Sequence, residues 1–256
     1  MNSFETFKQL HQNSSPFVLG NTWDVKSAQV FEAAGYKAIG ISSQALANSF
    51  GYQDGENLPF EVLLQVAKKT VEVVKIPFSV DIEGGYSRSI DSIINNISRL
   101  HDAGVVGINL EDTIPGATRQ FQTIAEFQKV VAGIANHISR NNLQLFLNIR
   151  TDAFLLGMPD PLAETLVRVK AYREAGAAGI FTPCITDAGD IRTLTNATTL
   201  PVNVMCMPNL PGFDVLASLG VKRISMGPFL FNKVYANAGQ LAKLILNDNN
   251  FSAIVS

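Results

Sequence analysis

The sequence predicts an α/β chain folded as one (β/α)8 TIM barrel. Short apolar runs of β character alternate about eight times with longer segments of helical period. The length of 256 residues, 46% of them hydrophobic, suits one large core of that architecture. A doubly wound sheet normally shows GxGxxG after its first strand, and no such motif stands here.

The strands expected, in order, are 17–24, 38–43, 77–83, 107–112, 145–153, 179–185, 201–206 and 223–229. Helical stretches are expected at 60–74, 89–103, 125–140, 161–175 and 214–219, with a closing amphipathic segment at 231–247. The phrases AAGYKAIGI, DAGVVGINL, EAGAAGIFT and SLGVKRISM repeat one punctuation: a helix end, a glycine at C′, a short turn and a buried strand. Their spacing varies too much for a solenoid, and no linker divides the chain, so residues 1–256 are expected to form one domain.

Charged residues make up 16%, the formal net charge is -2, and no Lys/Arg-rich run occurs. Nucleic acid and membrane are therefore not expected as partners, and a small molecule is. Two cysteines, far apart, and an N-terminus without a signal-peptide pattern point to the cytoplasm.

In a barrel the chemistry lies where strands end. The third strand closes Ser79-Val80-Asp81-Ile82-Glu83, and alternation puts Asp81 and Glu83 on one side. The fourth ends Ile108-Asn109-Leu110-Glu111-Asp112 and adds Glu111 at the same height. Acids this close hold either a proton or a cation, and an all-oxygen set without His or Cys calls for Mg²⁺, with Mn²⁺ the alternative. Asp112 faces away from Glu111, which fits a cap or an arginine pair better than the site.

Arg150, ending the fifth strand, is placed to clamp a carboxylate or steady a developing oxyanion; its structural reading is a partner for the barrel acids. The turn Ser42-Ser43-Gln44 offers backbone N–H groups to a carboxylate. Trp23 and Asp24, ending the first strand, line the pocket floor or serve packing and capping. His11, His101 and His137 fall away from strand ends, and Cys184 and Cys206 read as small buried residues rather than nucleophiles.

These residues resemble the isocitrate lyase and phosphoenolpyruvate mutase superfamily. GYKAIGISSQALANSFGYQD, VDIEGGY, GVVGINLED, NIRTDAF and GVKRISMGP stand in that family's order and spacing over nearly the whole chain. The resemblance implies Mg²⁺ near Asp81, with Glu83, Glu111 and Asp54 acting mostly through water. It also implies a substrate carboxylate on Ser42-Ser43-Gln44 and Arg150 on the reacting part. Relatives make or break a C–C or P–C bond next to a 2-oxo acid, through an enolate whose oxygens Mg²⁺ holds. Their last helix exchanges between subunits, which implies a homodimer or homotetramer.

The sequence departs from both main branches of that family. The lyase loop signature with its acid/base Cys is absent, and the two mutase loop lysines are replaced by Thr113 and Ala117. Arg119 is the cation that remains to substitute for them, and Pro183 stands where the branches carry His or Glu. The expected function is a Mg²⁺-dependent lyase or mutase-like enzyme acting on a small carboxylate. The alternative is a carboxylate-binding barrel that has lost catalysis. A phosphate-handling aldolase finds neither a Gly-rich cradle after the last strands nor a strand-end lysine.

Overall fold

The computed structural model describes residues 2–115 and 118–255. Along the chain run β1 (Phe17–Thr22), β2 (Ile39–Ile41), β3 (Phe78–Asp81) and β4 (Gly107–Glu111). A small hairpin of β5 (Thr113–Ile114) and β6 (Gln120–Phe121) follows, then β7 (Phe146–Arg150), β8 (Gly179–Phe181), β9 (Val202–Met205) and β10 (Arg223–Ser225). Leaving the hairpin aside, the other strands pair in parallel in that order, and β10 returns to β1 to close a (β/α)8 barrel.

Every expected strand is present and shorter than expected, because a hydrophobic pattern does not show where the ladder of a neighbouring strand stops. Residues 223–229 were expected as one strand; β10 ends at Ser225 and Phe229 already opens the last helix. Residues 77–83 end as strand at Asp81, and Glu83 lies beyond, in the left-handed region at φ 50. Four helices lie outside the stretches expected, none longer than ten residues: Ser3–Gln12, Val25–Ala33, Ser43–Ser49 and Ala188–Ala197. Asp24 proves to be a cap, its carboxylate accepting from Ser27 N at 2.6 Å.

Expected helices that lie between strands bury one face against the sheet. Ile93, Ile97 and Leu100 do so on Ile90–Asp102, and Phe127, Val131 and Ile134 on Ile124–Arg140, at the three- and four-residue spacing of one helix face. Each such side chain contributes roughly 1.5–3 kcal/mol relative to exposure. The N-terminal helix closes the barrel floor. Phe7 is fully buried against Phe17 and Phe146, and His11 stacks on Phe146 at 4.1 Å. Burial, with the nearby charge of Arg223, pushes the His11 pKa down to about 3.

Above the floor the interior is polar. Asn148 Nδ2 and Arg223 Nη2 both donate to Asn109 Oδ1, at 2.9 and 3.3 Å. Burial pushes the Arg223 pKa down to about 9. The last helix, Phe229–Asp248, buries only Phe231 and leaves Val234, Tyr235, Leu241 and Leu244 exposed. No described helix is long and apolar enough to cross a membrane.

Candidate active site

Strand register sets the site. Asp81 pairs across the ladder with Asn109 and that with Asn148, while Glu111 pairs with Arg150 and that with Phe181. The two rows lie one above the other at the C-terminal mouth, over a cavity of about 220 Å³. Ser42, Ser43, Gln44, Asp54, Asp81, Arg119 and Arg150 line it. The size suits a small metabolite rather than a nucleotide or peptide.

Asp81 keeps part of its surface open to the cavity. Its Oδ2 accepts from Ser43 Oγ at 3.2 Å and its Oδ1 from Glu83 N at 3.1 Å. Ser42, Ser43 and Gln44, expected as a turn, instead start the helix Ser43–Ser49, with Ser42 as N-cap; the short polar side chains cap rather than loop. Glu83 does not reach the cluster by strand alternation. A left-handed turn carries it there, a conformation costing about 1–3 kcal/mol in a non-glycine residue. Its Oε2 accepts from Glu56 N at 2.8 Å, while Glu56 accepts from Tyr86 N at 2.8 Å and pairs with Arg88 at 2.6 Å. The loop that bears Asp54 is thereby tied to the loop after β3.

Glu111 is buried between two guanidiniums. Arg119, brought in by the hairpin of β5 and β6, bonds its Oε1, and Arg150 Nη1 lies 3.0 Å from its Oε2. Asp152, which the sequence reading did not single out, completes the lattice. It accepts from Arg150 Nε at 2.6 Å, Thr113 Oγ1 at 2.9 Å and Arg119 Nη1 at 3.2 Å. The signal was available, since Arg150-Thr151-Asp152 sets two charged side chains two residues apart at a strand end. Arg119 also approaches Asp54 Oδ2 at 3.6 Å. Of the loop substitutions read from the sequence, Thr113 is thus in the lattice, and Ala117 lies outside the described residues.

Burial dominates the electrostatics. It raises the Asp81 pKa against the pull of Arg150, raises Glu83 to about 9 with Asp54 and Glu111 adding to the effect, and raises Glu111 to about 8. Arg150 is held well above its usual range despite burial, by Asp152 and Glu111.

Trp23, expected on the pocket floor, packs edge-on against Phe231 at 5.3 Å and lines a separate apolar cleft under the last helix, because β1 ends at Thr22. Asn21 and Asn109 line the cavity near the barrel axis instead. Cys184 is half-buried with its thiol pKa raised by burial, and Cys206 is exposed; neither lines the cavity.

Among the described residues no three His, Cys, Asp or Glu side chains come close enough to clasp an ion together. The expectation of several direct acidic ligands therefore narrows: Glu83 and Glu111 are occupied by Glu56 N and the arginines, and Asp81 and Asp54 face the cavity. The residues nonetheless fit a hydrated Mg²⁺. Asp54 Oδ1 is buried without a hydrogen-bond partner, Glu111 Oε2 has no well-aligned donor, and the donors are all oxygen. The carboxylates of Asp54, Asp81, Glu83, Glu111 and Asp152 also outnumber Arg119 and Arg150.

A closed parallel barrel whose mouth carries this acid and arginine lattice defines an enzyme of the phosphoenolpyruvate mutase and isocitrate lyase superfamily, which works on C–C or C–P bonds. The profile of the phosphoenolpyruvate phosphomutase family matches residues 7–246, and the chain belongs to that family. An uncharacterized protein of Mycobacterium tuberculosis (strain ATCC 25618 / H37Rv) is 33% identical over 94% of this chain and 88% of its own length. A crystal structure from Burkholderia cenocepacia J2315, provisionally described as a phosphonomutase, is 34% identical with a TM-score of 0.89, over 94% of this chain and 99% of that one. Phosphonopyruvate hydrolase, solved in complex with oxalate and Mg²⁺, shares the fold at 21% identity and a TM-score of 0.88, over 99% of this chain and 90% of that one.

Proposed function

We propose that the protein is a Mg²⁺-dependent lyase or mutase-like enzyme that breaks or rearranges a C–C or P–C bond beside the carbonyl of a small 2-oxo or 2-hydroxy carboxylate. The observation that carries this reading is the partnerless buried oxygen of Asp54 beside Asp81 in a small cavity. The oxalate and Mg²⁺ complex of phosphonopyruvate hydrolase supports it, since oxalate has the shape of an enolpyruvate.

Asp81 and Asp54 would hold the ion, with Glu83 and Glu111 behind them. When bound, Mg²⁺ supplies Lewis-acid stabilisation of the negative charge that gathers on the oxygens of an enolate. The chain's own groups do the rest. The N-terminal N–H groups of the helix begun by Ser42, Ser43 and Gln44 receive the substrate carboxylate. Arg150, kept charged by Asp152 and Glu111, faces the reacting part. Arg119 closes the site from the hairpin and supplies a second fixed positive charge. With Mg²⁺, calorimetry is expected to show oxalate binding that disappears without the metal and in Asp81→Ala. Equal binding in Asp81→Ala would refute the reading.

One observation favours the second reading, a binding barrel without turnover: among the described residues the cavity lining contains no Lys, His or Cys to move a proton. A panel of 2-oxo acids, malate-type acids and phosphonates decides. Turnover of any member, lost in Glu111→Gln, eliminates the second reading. The exposed apolar face of Phe229–Asp248 supports a homodimer or homotetramer in which this helix packs on a neighbouring subunit. A monomer mass in light scattering contradicts that assembly.

A further inference from the structure

The cavity is divided by charge. The side built from β2, β3, β4 and β7 carries Asp54, Asp81, Arg119 and Arg150, with Leu155 after β7 on the rim; the side built from β8, β9 and β10 is mostly apolar, with Phe181, Pro183, Met205 and Pro228, and holds Ser225 as an uncharged polar residue. Gly227 makes this wall possible. Its φ is 53, and a Cβ there would stand 2.7 Å from Met205 Sδ, so glycine lets the methionine lie against the cavity.

Among the described residues, both cations that line the cavity are already paired. Arg119 is shared among Glu111, Asp152 and Asp54, and Arg150 between Glu111 and Asp152 with Phe181 lying 5.8 Å from its guanidinium. Arg223 is buried inside the barrel beneath the cavity, where its Nη2 donates to Asn109 and its Nε and Nη1 have no partner. Even with a divalent ion in place, the local carboxylates hold at least as much charge as the cations. One substrate carboxylate finds the ion and the helix start. A second anionic group would face Phe181, Pro183 and Met205, with only the uncharged Asn21 and Ser225 beside that wall and Arg150 already committed to Glu111 and Asp152, a burial that proteins avoid.

We infer that this enzyme takes 2-oxo or 2-hydroxy monocarboxylates whose far substituent is uncharged and apolar, and discriminates against substrates with a second carboxylate or a phosphonate at that end. The inference rests on the carboxylate and metal reading above and goes further by fixing the substrate class. Leu155, Phe181, Pro183 and Met205 are the residues that determine it.

The test compares ligands of one shape with the full chain and Mg²⁺. In 4-methyl-2-oxopentanoate an isopropyl group stands where oxaloacetate has its second carboxylate; phosphonopyruvate places a phosphonate there. Direct calorimetric titration is expected to show the isopropyl compound binding at least about tenfold tighter than either dianion, a difference of about 1.4 kcal/mol. Leu155→Arg, on a rim residue that is 41% exposed, is expected to shrink that ratio several-fold, and Met205→Lys to do the same from the opposite wall. A dianion that binds as tightly as the isopropyl compound overturns the inference, as does a ratio unmoved by both substitutions. Oxalate, titrated alongside, separates the two readings. Oxalate bound with dianions preferred defeats the substrate class alone; no Mg²⁺-dependent binding of any ligand defeats both.

Discussion

Glu111 and Asp112 are adjacent in sequence and both buried, yet they belong to opposite kinds of ionic cluster. Glu111 faces the mouth, where carboxylates exceed guanidiniums and buried oxygens lack donors. Asp112 faces the outer layer of helices. There its Oδ2 accepts from Arg168 Nη1 at 3.1 Å and Tyr172 OH at 2.8 Å, and its Oδ1 from Asp152 N at 3.3 Å. The outer cluster is complete in itself, as structural buried charges must be. The mouth is complete only with something more positive than the chain provides, and that difference separates a site from a brace.

The sharpest way to break this contrast is to open the outer cluster. Arg168→Met leaves Asp112 buried without its cation, and a loss of about 3–5 kcal/mol is expected in urea unfolding, which Mg²⁺ does not restore. Recovery with Mg²⁺ would mean that the two clusters are not independent.

The mouth should answer to protons instead. Glu83 and Glu111 have pKa values raised to about 9 and about 8, against 4.5 as their ordinary value, so the folded protein keeps protons that the unfolded chain releases. The sign follows: metal-free stability falls as pH rises from about 5 to 9. Thermal melts at pH 6 and pH 9 measure it, and Mg²⁺, which replaces those protons, is expected to narrow the gap. Apparent Mg²⁺ affinity accordingly rises with pH. A metal-free melt that improves toward pH 9 contradicts the assignment.

Smaller effects sharpen the boundary. Arg119→Gln removes a cation from an acid-rich cluster in which Arg150 remains. Expected are about 1 kcal/mol of lost stability without metal, recovery on adding Mg²⁺, and unchanged stability of the outer pair. Cys206→Ser is expected to stay within about 0.5 kcal/mol of the parent and to leave oxalate affinity untouched, since the thiol is exposed and outside the cavity. A loss of binding there would place the cavity wrongly.

The barrel was legible because eight buried strands leave eight apolar runs, and Asp81, Glu111 and Arg150 were legible because a strand that ends in a charge announces where it points. Asp112 was read correctly as facing away from Glu111, by the same alternation. That rule failed at Glu83, where the ladder had already ended and a left-handed turn took over. Asp152 and the bonds of Arg119 were hidden because they depend on a hairpin whose partners, Thr113 with Phe121 and Ile114 with Gln120, follow no periodic pattern. The apolar wall was hidden for a different reason. Phe181, Pro183 and Met205 look like any buried strand end until the folded mouth sets them opposite the acids.

The sealed floor has a kinetic meaning. With Phe7, His11, Phe17 and Phe146 packed together at the bottom of the barrel, the cavity opens at the mouth, so on the proposed reading a reaction yielding two fragments would release both by that route, one after the other. On that reading the fragment held at Asp81, a ladder row below Glu111 and Arg150, would be the last to leave. Added back, that fragment competes with substrate for free enzyme, whereas the fragment from the apolar side inhibits only enzyme still holding its counterpart. The order of departure is thus written into which end of the barrel is shut.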